Sequence, residues 1–540
     1  MRKCAPTSGH LPNKSQKDPW ILTLDVGTSS VRTLIFDAQG RQAEEFGSQI
    51  PYHVASTSDG GFEVEADHLV ELCVETLSRI HSHLSEVGIR PGAVAICTFW
   101  HSLVGVGADD RATTPIIHLF DTRSAAAART LAKRIDARQV HARTGCVLHP
   151  SYVPAKLLWL SEARPEAYRA TRRWMSFGEY LLLKLSGRAV ASISMVSGSG
   201  LWNQNENDYD SGILSVLPID RNQLASVQEM DKPLLELCAG YRSRWPEFAG
   251  AQWYPALGDG ACNNIGSGCH AADRFALMVG TSGAMRVVLE ARRMEIPEGL
   301  WCYRVDRKRF ILGGALSNGG LVFEWIKRTL LLPDDEEIEK ELAAMMPGSH
   351  GLTFLPLFAG ERSTKWRAEA RAAITGISMN TRPIEILRAA LESVALRFRN
   401  IYDLMTAQLA QYAGRNAIST IRGALTREAR MPDVAPRDGV PEQVIASGGA
   451  LLRSPAWTQM MADALERPVI ACLEKEASSR GAALLTLERL GVVDHVGKLP
   501  ARMGAVFEPA AAHRSIYEEE LRRQAWLYRK LFEEDGTENC

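Results

Sequence analysis

Asp259 stands between two glycines in Leu257-Gly258-Asp259-Gly260, just after the apolar stretch Trp253–Ala256. A carboxylate on a small-residue turn at a cleft is suited to accept the proton of an alcohol. That is the main acid–base task in moving a phosphoryl group, which otherwise needs in-line positioning and charge stabilisation. An Asp-Gly turn is common by itself. What favours a chemical role is the next segment, Val279-Gly280-Thr281-Ser282-Gly283-Ala284-Met285-Arg286, a small-residue turn between the β-like runs Phe275–Val279 and Met285–Leu289.

The same pattern stands near the start, in Leu22-Thr23-Leu24-Asp25-Val26-Gly27-Thr28-Ser29-Ser30-Val31-Arg32, and Val-Gly-Thr-Ser occurs in both. Such turns bring backbone N–H groups and hydroxyls close to phosphate oxygens without side-chain obstruction. Either alone reads as an ordinary hairpin turn. Together they point to two similar halves closing on one polyphosphate, with Gly27, Thr28 and Ser29 in one cradle and Gly280 and Thr281 in the other. Asp25 is the candidate for a hydrated Mg²⁺, which favours one or two carboxylates plus phosphate oxygens. Met278 holds the equivalent position before the second turn, so the halves are not equal.

A polar acceptor side is expected from Trp100, His101, Asp121 and Arg123, each placed after a short β run, where open α/β sheets present ligand contacts. Trp and His can lie on the carbons of a sugar while Asp and Arg bind hydroxyls or a carboxylate. Packing and a structural salt bridge are the competing roles for these four.

These groups need elements to hold them. Strands are expected at Ile21–Leu24, Val31–Phe36, Val94–Cys97, Ile116–Phe120, Phe310–Ala315, Leu352–Phe358 and Val444–Ala446, and a hairpin over Phe275–Glu290. Helices are expected at Gly319–Leu331, Pro383–Gln411, Pro455–Ala464, Ser479–Leu490 and Ser515–Phe532. Arg415–Glu442 is polar and weakly periodic and reads as a surface excursion. The alternation of strands and helices indicates a mixed α/β fold. A chain of 540 residues exceeds one core, so two domains are expected, with the boundary between Gly258 and Ala272.

Composition narrows the function. With 62 Lys+Arg against 63 Asp+Glu there is no basic field for nucleic acid or an anionic membrane surface. The 10 cysteines contain no Cys-x-x-Cys pair. No apolar run approaches a membrane span, and residues 1–18 have no apolar signal core and read as a disordered leader. A reducing cytoplasm is the expected compartment. No Gly-x4-Gly-Lys-Ser/Thr occurs. Gly266-Ser267-Gly268-Cys269-His270-Ala271 formally fits Gly-x-Gly-x-x-Ala but follows no strong apolar strand.

Taken in order, Asp25-Val26-Gly27-Thr28-Ser29-Ser30, Gly258-Asp259-Gly260, Gly280-Thr281-Ser282-Gly283, Gly319-Gly320, Pro356–Arg362 and Ser447-Gly448-Gly449-Ala450 resemble the FGGY carbohydrate kinases, the group of glycerol kinase, xylulokinase and gluconokinase. The resemblance covers about residues 20 to 495. It implies two actin/hexokinase-like (ribonuclease H-like) α/β domains with ATP and Mg²⁺ in the cleft between them. The expected division is 19–262, carrying the sugar side and the first turn; 263–500, carrying the nucleotide side; and a helical extension over 501–540. Asp259 would be the base, Asp25 would act through the metal, and Gly320, Gly449, Ala450 and Arg453 would lie at the nucleoside. Domain closure would exclude water.

Trp100-His101-Ser102-Leu103 resembles the gluconokinase form of the family's Met-His-Gly/Met-His-Ser segment. The family's Trp-x-Asp-x-Arg reads Leu119-Phe120-Asp121-Thr122-Arg123 here, Ser151 follows His149-Pro150 where glycerol kinase-like members have Tyr, and a frequent Gln is Glu324. The expected reaction is ATP-dependent phosphorylation of a terminal hydroxyl on an open-chain sugar or sugar acid, D-gluconate to 6-phosphogluconate first. A pentulose kinase is the enzymatic alternative and a sugar-sensing protein of the same fold the non-enzymatic one. The expected partners are the sugar and ATP, with neither nucleic acid nor membrane; a homodimer is left open.

Overall fold

Two mixed sheets of matching construction frame the molecule. The computed structural model describes residues 18–229, 233, 236–423 and 443–533. In the first sheet β1 (Trp20–Val26), β2 (Ser30–Phe36) and β3 (Gln42–Pro51) form an antiparallel meander. On the other side of β1 runs β4 (Pro91–Thr98), parallel to it, and the short strands β5 (Gln252–Trp253) and β6 (Leu257–Gly258) are parallel to β4.

The second sheet contains β7 (Arg274–Val279), β8 (Gly283–Glu290), β9 (Trp301–Arg304), β10 (Arg309–Leu316), β11 (Gln443–Ser447), β12 (Val469–Cys472) and β13 (Met503–Phe507). Their order is β9-β10-β8-β7-β11-β12-β13, with β7, β11 and β12 parallel. The meander β7-β8-β10 with β11 beside it repeats the meander β1-β2-β3 with β4 beside it. In each half the Val-Gly-Thr-Ser turn joins the first two strands. The repeat that two short turns suggested is therefore a repeat of topology.

β1 and β4 read as nearly continuous apolar runs because helices cover both of their faces. Ile21, Leu22, Leu24, Val26 and Val94–Cys97 are fully buried. The helix Ala66–Glu86 lies over β2 and β3, while the helix Ala477–Arg489, far away in sequence, lies over β1 and β4. Leu484, Leu485 and Leu487 of that second helix belong to the same apolar core as β1.

The helix Ala477–Arg489 also crosses the helix Asp259–Gly266 at a backbone-to-backbone contact. A Cβ on Gly266 would fall 1.8 Å from the carbonyl oxygen of Ala477, and one on Gly481 would fall 1.8 Å from that of Cys262. Only glycine permits this approach. Arg480, buried at the crossing, donates to the carbonyls of Gly266 (2.7 Å), Gly40 (3.2 Å), Leu499 (3.0 Å) and Pro500 (2.9 Å). It thereby takes up an end carbonyl of one helix and ties it to both sheets. A second junction lies at the edge strand β9, where Cys302 N–H donates to Gly145 C=O at 3.1 Å and the Tyr152 and Tyr303 hydroxyls meet at 2.6 Å.

Four local expectations change. Asp259 opens a helix instead of occupying a turn. The long helix runs from Pro383 to Gly423, so Arg415–Gly423 is helical; Gly414 costs an interior helix only about 1 kcal/mol and no proline interrupts it. The rest of the excursion, 424–442, lies outside the described residues, as does the leader up to 17. The strand expected over Leu352–Phe358 is only Thr353–Leu355, paired with Ala373–Thr375, and that expected over Ile116–Phe120 is only Ile116–Ile117, paired with the strand Phe62–Val64.

The crossing yields a test. Gly481→Ala should lower the urea midpoint by the equivalent of about 3 kcal/mol or more, because neither carbonyl can retreat without separating the helices. Gly250→Ala, with nothing within 4 Å of its Cβ, is the control. Equal midpoints for the two variants would show that the crossing bears no load.

Candidate active site

Gly258 has φ −73°, an ordinary value for any residue, so the glycine before Asp259 does not serve a turn. The reason is Trp100. A Cβ on Gly258 would lie 2.0 Å from the indole ring and one on Gly260 2.5 Å from it. Trp100 is itself fixed by a 2.8 Å hydrogen bond from Nε1 to Ser194 C=O and by the edge of the Tyr303 ring, with centroids 5.1 Å apart. The indole is 5% exposed and sits directly behind the backbone of Asp259.

Asp259 is thereby held as the first residue of its helix, where the positive end of the helix dipole and the Gly260 N–H (2.8 Å) favour a negative charge. Burial nevertheless pushes its carboxyl up to about 6. The Arg286 guanidinium pulls the other way, and Asp25 adds a smaller upward push. Arg286 and Asp259 attract without forming a direct ion pair.

Asp25 is the last residue but one of β1, opposite Cys97 of β4 and Arg32 of β2. Its carboxylate accepts from Ser479 Oγ at 2.9 Å, and Arg32 Nη1 stands 4.0 Å away. Arg32 is turned to Glu476 at 3.0 Å. Burial raises the carboxyls of both Asp25 and Glu476. A buried carboxylate with so little cationic compensation, beside two more, is the kind of group a divalent cation relieves. With oxygen donors only, it suits Mg²⁺ completed by phosphate oxygens. Among the described residues no group of three or more His, Cys, Asp or Glu forms a metal cage by itself.

Gly27 is partly exposed and Thr28 and Ser29 are exposed at the β1–β2 turn, which Tyr52 closes by donating from its hydroxyl to Gly27 C=O at 2.5 Å. Tyr52 lies within electrostatic reach of Asp259, which helps to hold its hydroxyl protonated after burial has raised it. In the other half, the carbonyls of Gly280 and Thr281 accept from the N–H groups of Gly320 (2.7 Å), Gly319 and Leu321 (3.1 Å each), so the turn caps the helix Gly320–Thr329.

Three segments meet here at van der Waals limits. A Cβ on Gly320 would lie 2.6 Å from both Gly280 C=O and the Ala450 Cβ, and one on Gly448, at φ +93°, 2.4 Å from Val279 C=O. Thr281 and Gly449 remain exposed on top, with open space around Gly449. Arg453 is exposed and ends the short helix Gly449–Leu452. The structure thus brings Gly280, Thr281, Gly320, Gly449 and Ala450 together at the carboxyl ends of the parallel strands β7 and β11.

The four polar residues expected near the sugar divide. His101, at φ +64° and buried, donates from Nδ1 to Gly198 C=O at 2.7 Å, leaving Nε2 as an acceptor. Burial, then Arg362, hold its imidazole well below the usual range. Asp121 and Arg123 are bound to each other: Asp121 accepts from Arg123 Nη2 (2.6 Å) and from Phe62 N–H (3.0 Å), and Arg123 also pairs with Glu63 and lies over the Trp159 ring. They clasp the loop after Phe120 to the strand Phe62–Val64.

Around His101 stand residues to which the motifs assigned no role. Lys156, fully buried, donates to His101 C=O at 2.5 Å, and burial lowers its ammonium to about 7, with Asp121 opposing. His149, held down to about 3 by burial and by Arg362, accepts the Ser151 N–H on Nδ1 at 3.2 Å. Arg362 reaches this group from the loop after Leu357, over Trp366 at 5.7 Å. Arg286 lies within β8. A sequence signal existed for two of them: a lone Arg in Gly-Ala-Met-Arg-Val-Val-Leu and a lone Lys in Val-Pro-Ala-Lys-Leu-Leu-Trp-Leu are charges in otherwise buried runs.

Comparison with known proteins bears on the family and the fold. The N-terminal domain model of the FGGY family of carbohydrate kinases matches residues 20–242 and its C-terminal domain model residues 275–487. The gluconokinase of Bacillus subtilis (strain 168) is 26% identical over 505 residues, spanning 90% of this chain and 91% of that protein. The xylulose kinase of Staphylococcus xylosus is 21% identical, over 86% of this chain and 90% of its own. The crystal structure of gluconate kinase from Lactobacillus acidophilus superimposes with a TM-score of 0.81 at 24% identity, covering 96% of this chain and 99% of that one. Two actin/hexokinase-like domains, a repeated strand topology and a full-length match to both halves of one family lead to a single assignment: the chain belongs to the FGGY family of carbohydrate kinases and is a carbohydrate kinase.

Proposed function

We propose that this kinase transfers the terminal phosphoryl group of ATP to the terminal hydroxyl of an open-chain sugar acid, D-gluconate giving 6-phosphogluconate. The observation that carries the reading is the setting of Asp259. It is a carboxylate fixed from behind by Trp100, raised to about 6 by burial, and drawn toward Arg286 without being neutralised by it. A base so placed is deprotonated at neutral pH yet far more basic than a free carboxylate.

In this reaction the hydroxyl oxygen forms the new P–O bond as the bond to the ADP oxygen breaks. The hydroxyl proton passes to Asp259 and the electron pair leaves with ADP. The exposed Thr28, Ser29 and Thr281 offer hydroxyls and backbone N–H groups to the phosphates. Gly320, Gly449, Ala450 and Arg453 border the nucleoside. Asp25, oriented by Ser479, would hold Mg²⁺, whose charge offsets that of the phosphates. His101, with its Nε2 acceptor, and the carbonyl-bound Lys156 lie on the acceptor side. Trp100 serves by positioning Asp259, and the Asp121–Arg123 clasp by fixing the loop that faces Lys156. The gluconokinase relatives support gluconate over a pentulose, to which the xylulose kinase relative lends the second reading.

Coupled ADP release over D-gluconate, D-xylulose, D-ribulose and glycerol decides among these, with the highest kcat/KM expected for gluconate. A leading xylulose rate would transfer the assignment to a pentulose kinase, and no ADP release with any sugar would leave a sugar-binding protein. Asp259→Asn should lower kcat by roughly 100-fold or more while nucleotide binding persists; unaltered turnover would remove the base assignment.

The pH profile follows from the sign of the shift. The base works deprotonated, so kcat/KM should fall tenfold per unit below about pH 6 and level off above it. Arg286→Met removes a charge that holds the carboxyl down, so the acid limb should move to higher pH. A limb near pH 4 in the wild type would show that burial does not govern Asp259.

A further inference from the structure

The reaction as proposed leaves buried guanidinium nitrogens of two arginines, Arg286 and Arg362, without an acceptor. Arg286 is 8% exposed, and its Nε and Nη1 are buried with no hydrogen-bond acceptor; Nε of Arg362 is likewise buried and unmet. The two repel each other, and burial, with Arg362 adding to it, brings Arg286 down to about 10. A buried donor without an acceptor is costly, and a buried charge more so.

The surroundings do not supply the missing anion. Asp259, the carboxylate acting on Arg286, forms no ion pair with it. Glu361, next in sequence to Arg362, is already engaged by Arg397 and by the Tyr528 hydroxyl at 2.5 Å. The nearby imidazoles of His101 and His149 are neutral. Tyr152 and Tyr303 contribute hydroxyls bound to each other, and the Tyr152 hydroxyl also meets the Arg362 side chain, but neither phenol brings a negative charge. Two positive charges therefore face one negative charge, with a deficit of one anion.

The arrangement is also built to last. Ser363 N–H donates to Ala315 C=O at 3.0 Å and Ala315 N–H returns a bond to Ser363 Oγ at 3.0 Å. Ala359 N–H donates to Asn318 at 3.1 Å. The loop carrying Arg362 is thus stitched to the end of β10, and the Glu361 contacts brace it from the helices Pro383–Gly423 and Arg514–Phe532. A rigid guanidinium fork matches a carboxylate in geometry as well as charge.

We propose that Arg286 and Arg362 form a carboxylate-binding subsite that selects acids over neutral sugars and polyols, the acceptor lying between this pair and Asp259. The inference rests on the phosphoryl-transfer reading of the same cleft and adds the class of acceptor and the residues that choose it.

The test compares wild type, Arg286→Met and Arg362→Met with D-gluconate and with D-glucitol, a neutral six-carbon polyol, by steady-state kinetics and by calorimetric binding. Each variant should weaken gluconate, in Kd and KM, by roughly 10- to 100-fold. The acid-over-neutral ratio of kcat/KM should fall by a similar factor. Thermal melting and ATP binding report folding; should a Met variant not fold, Arg→Lys keeps the charge without the fork and should lower the ratio by a smaller amount. An unchanged ratio, with acid and polyol losing equally, would overturn the subsite and place the pair at the transferred phosphoryl group instead. Gluconate binding to the wild type without phosphoryl transfer would retain the subsite and remove the proposed reaction. Phosphorylation of neutral sugars with no gluconate binding would do the reverse.

Discussion

The architecture depends on one contact, the crossing of the helices Asp259–Gly266 and Ala477–Arg489. At Gly266 and Gly481 the two backbones touch where any side chain would force them apart. The second helix belongs to the late part of the chain yet packs on the first sheet, so its residues reach the strand of Asp25 and the helix of Asp259. Ser479 orients Asp25, and Arg480 holds the carbonyl end of the Asp259 helix. A hydrogen-bonded, close-packed junction of this kind fixes where Asp25 and Asp259 stand relative to each other, whatever the outer parts of the two halves do.

Charge in the cleft is segregated. Asp25, Glu476 and Asp259 lie together on one side, with Arg32 on Glu476, and Arg286 and Arg362 stand beyond Asp259 among tyrosines and neutral histidines. Had Arg286 been placed in contact with Asp259, the pair would have been more stable and chemically inert, since a tightly paired carboxylate is a poor base. Keeping the two apart sacrifices stability for basicity and leaves a gap between opposite charges. Burial is the first cause of the shifts at Asp25, Asp259 and Arg286 alike. The same dry surroundings strengthen whatever a ligand brings into the gap.

The Gly-Asp-Gly tripeptide shows how a residue can be singled out for an incomplete reason. Its glycines suggested a turn, but their backbone angles are ordinary and the demand for small residues comes from an indole more than 150 positions earlier. Likewise Asp121 and Arg123 have the composition of a ligand site, yet their hydrogen bonds are exchanged with each other, with Glu63 and with the Phe62 backbone.

Local spacing was enough to determine the α/β alternation, the two matching turns, the halves that carry them, and Asp25 and Asp259 as the groups of interest. These follow from contacts within a few residues, which a sequence displays directly. Only the tertiary structure decided that Arg286, Arg362, Lys156 and Ser479 join them. Each comes from a different element, and a charge in an apolar run reveals that it is buried without revealing what it faces. Burial, charge pairing and the direction of a pKa shift are set by neighbours that the chain brings together from hundreds of residues away, and packing alone chooses them.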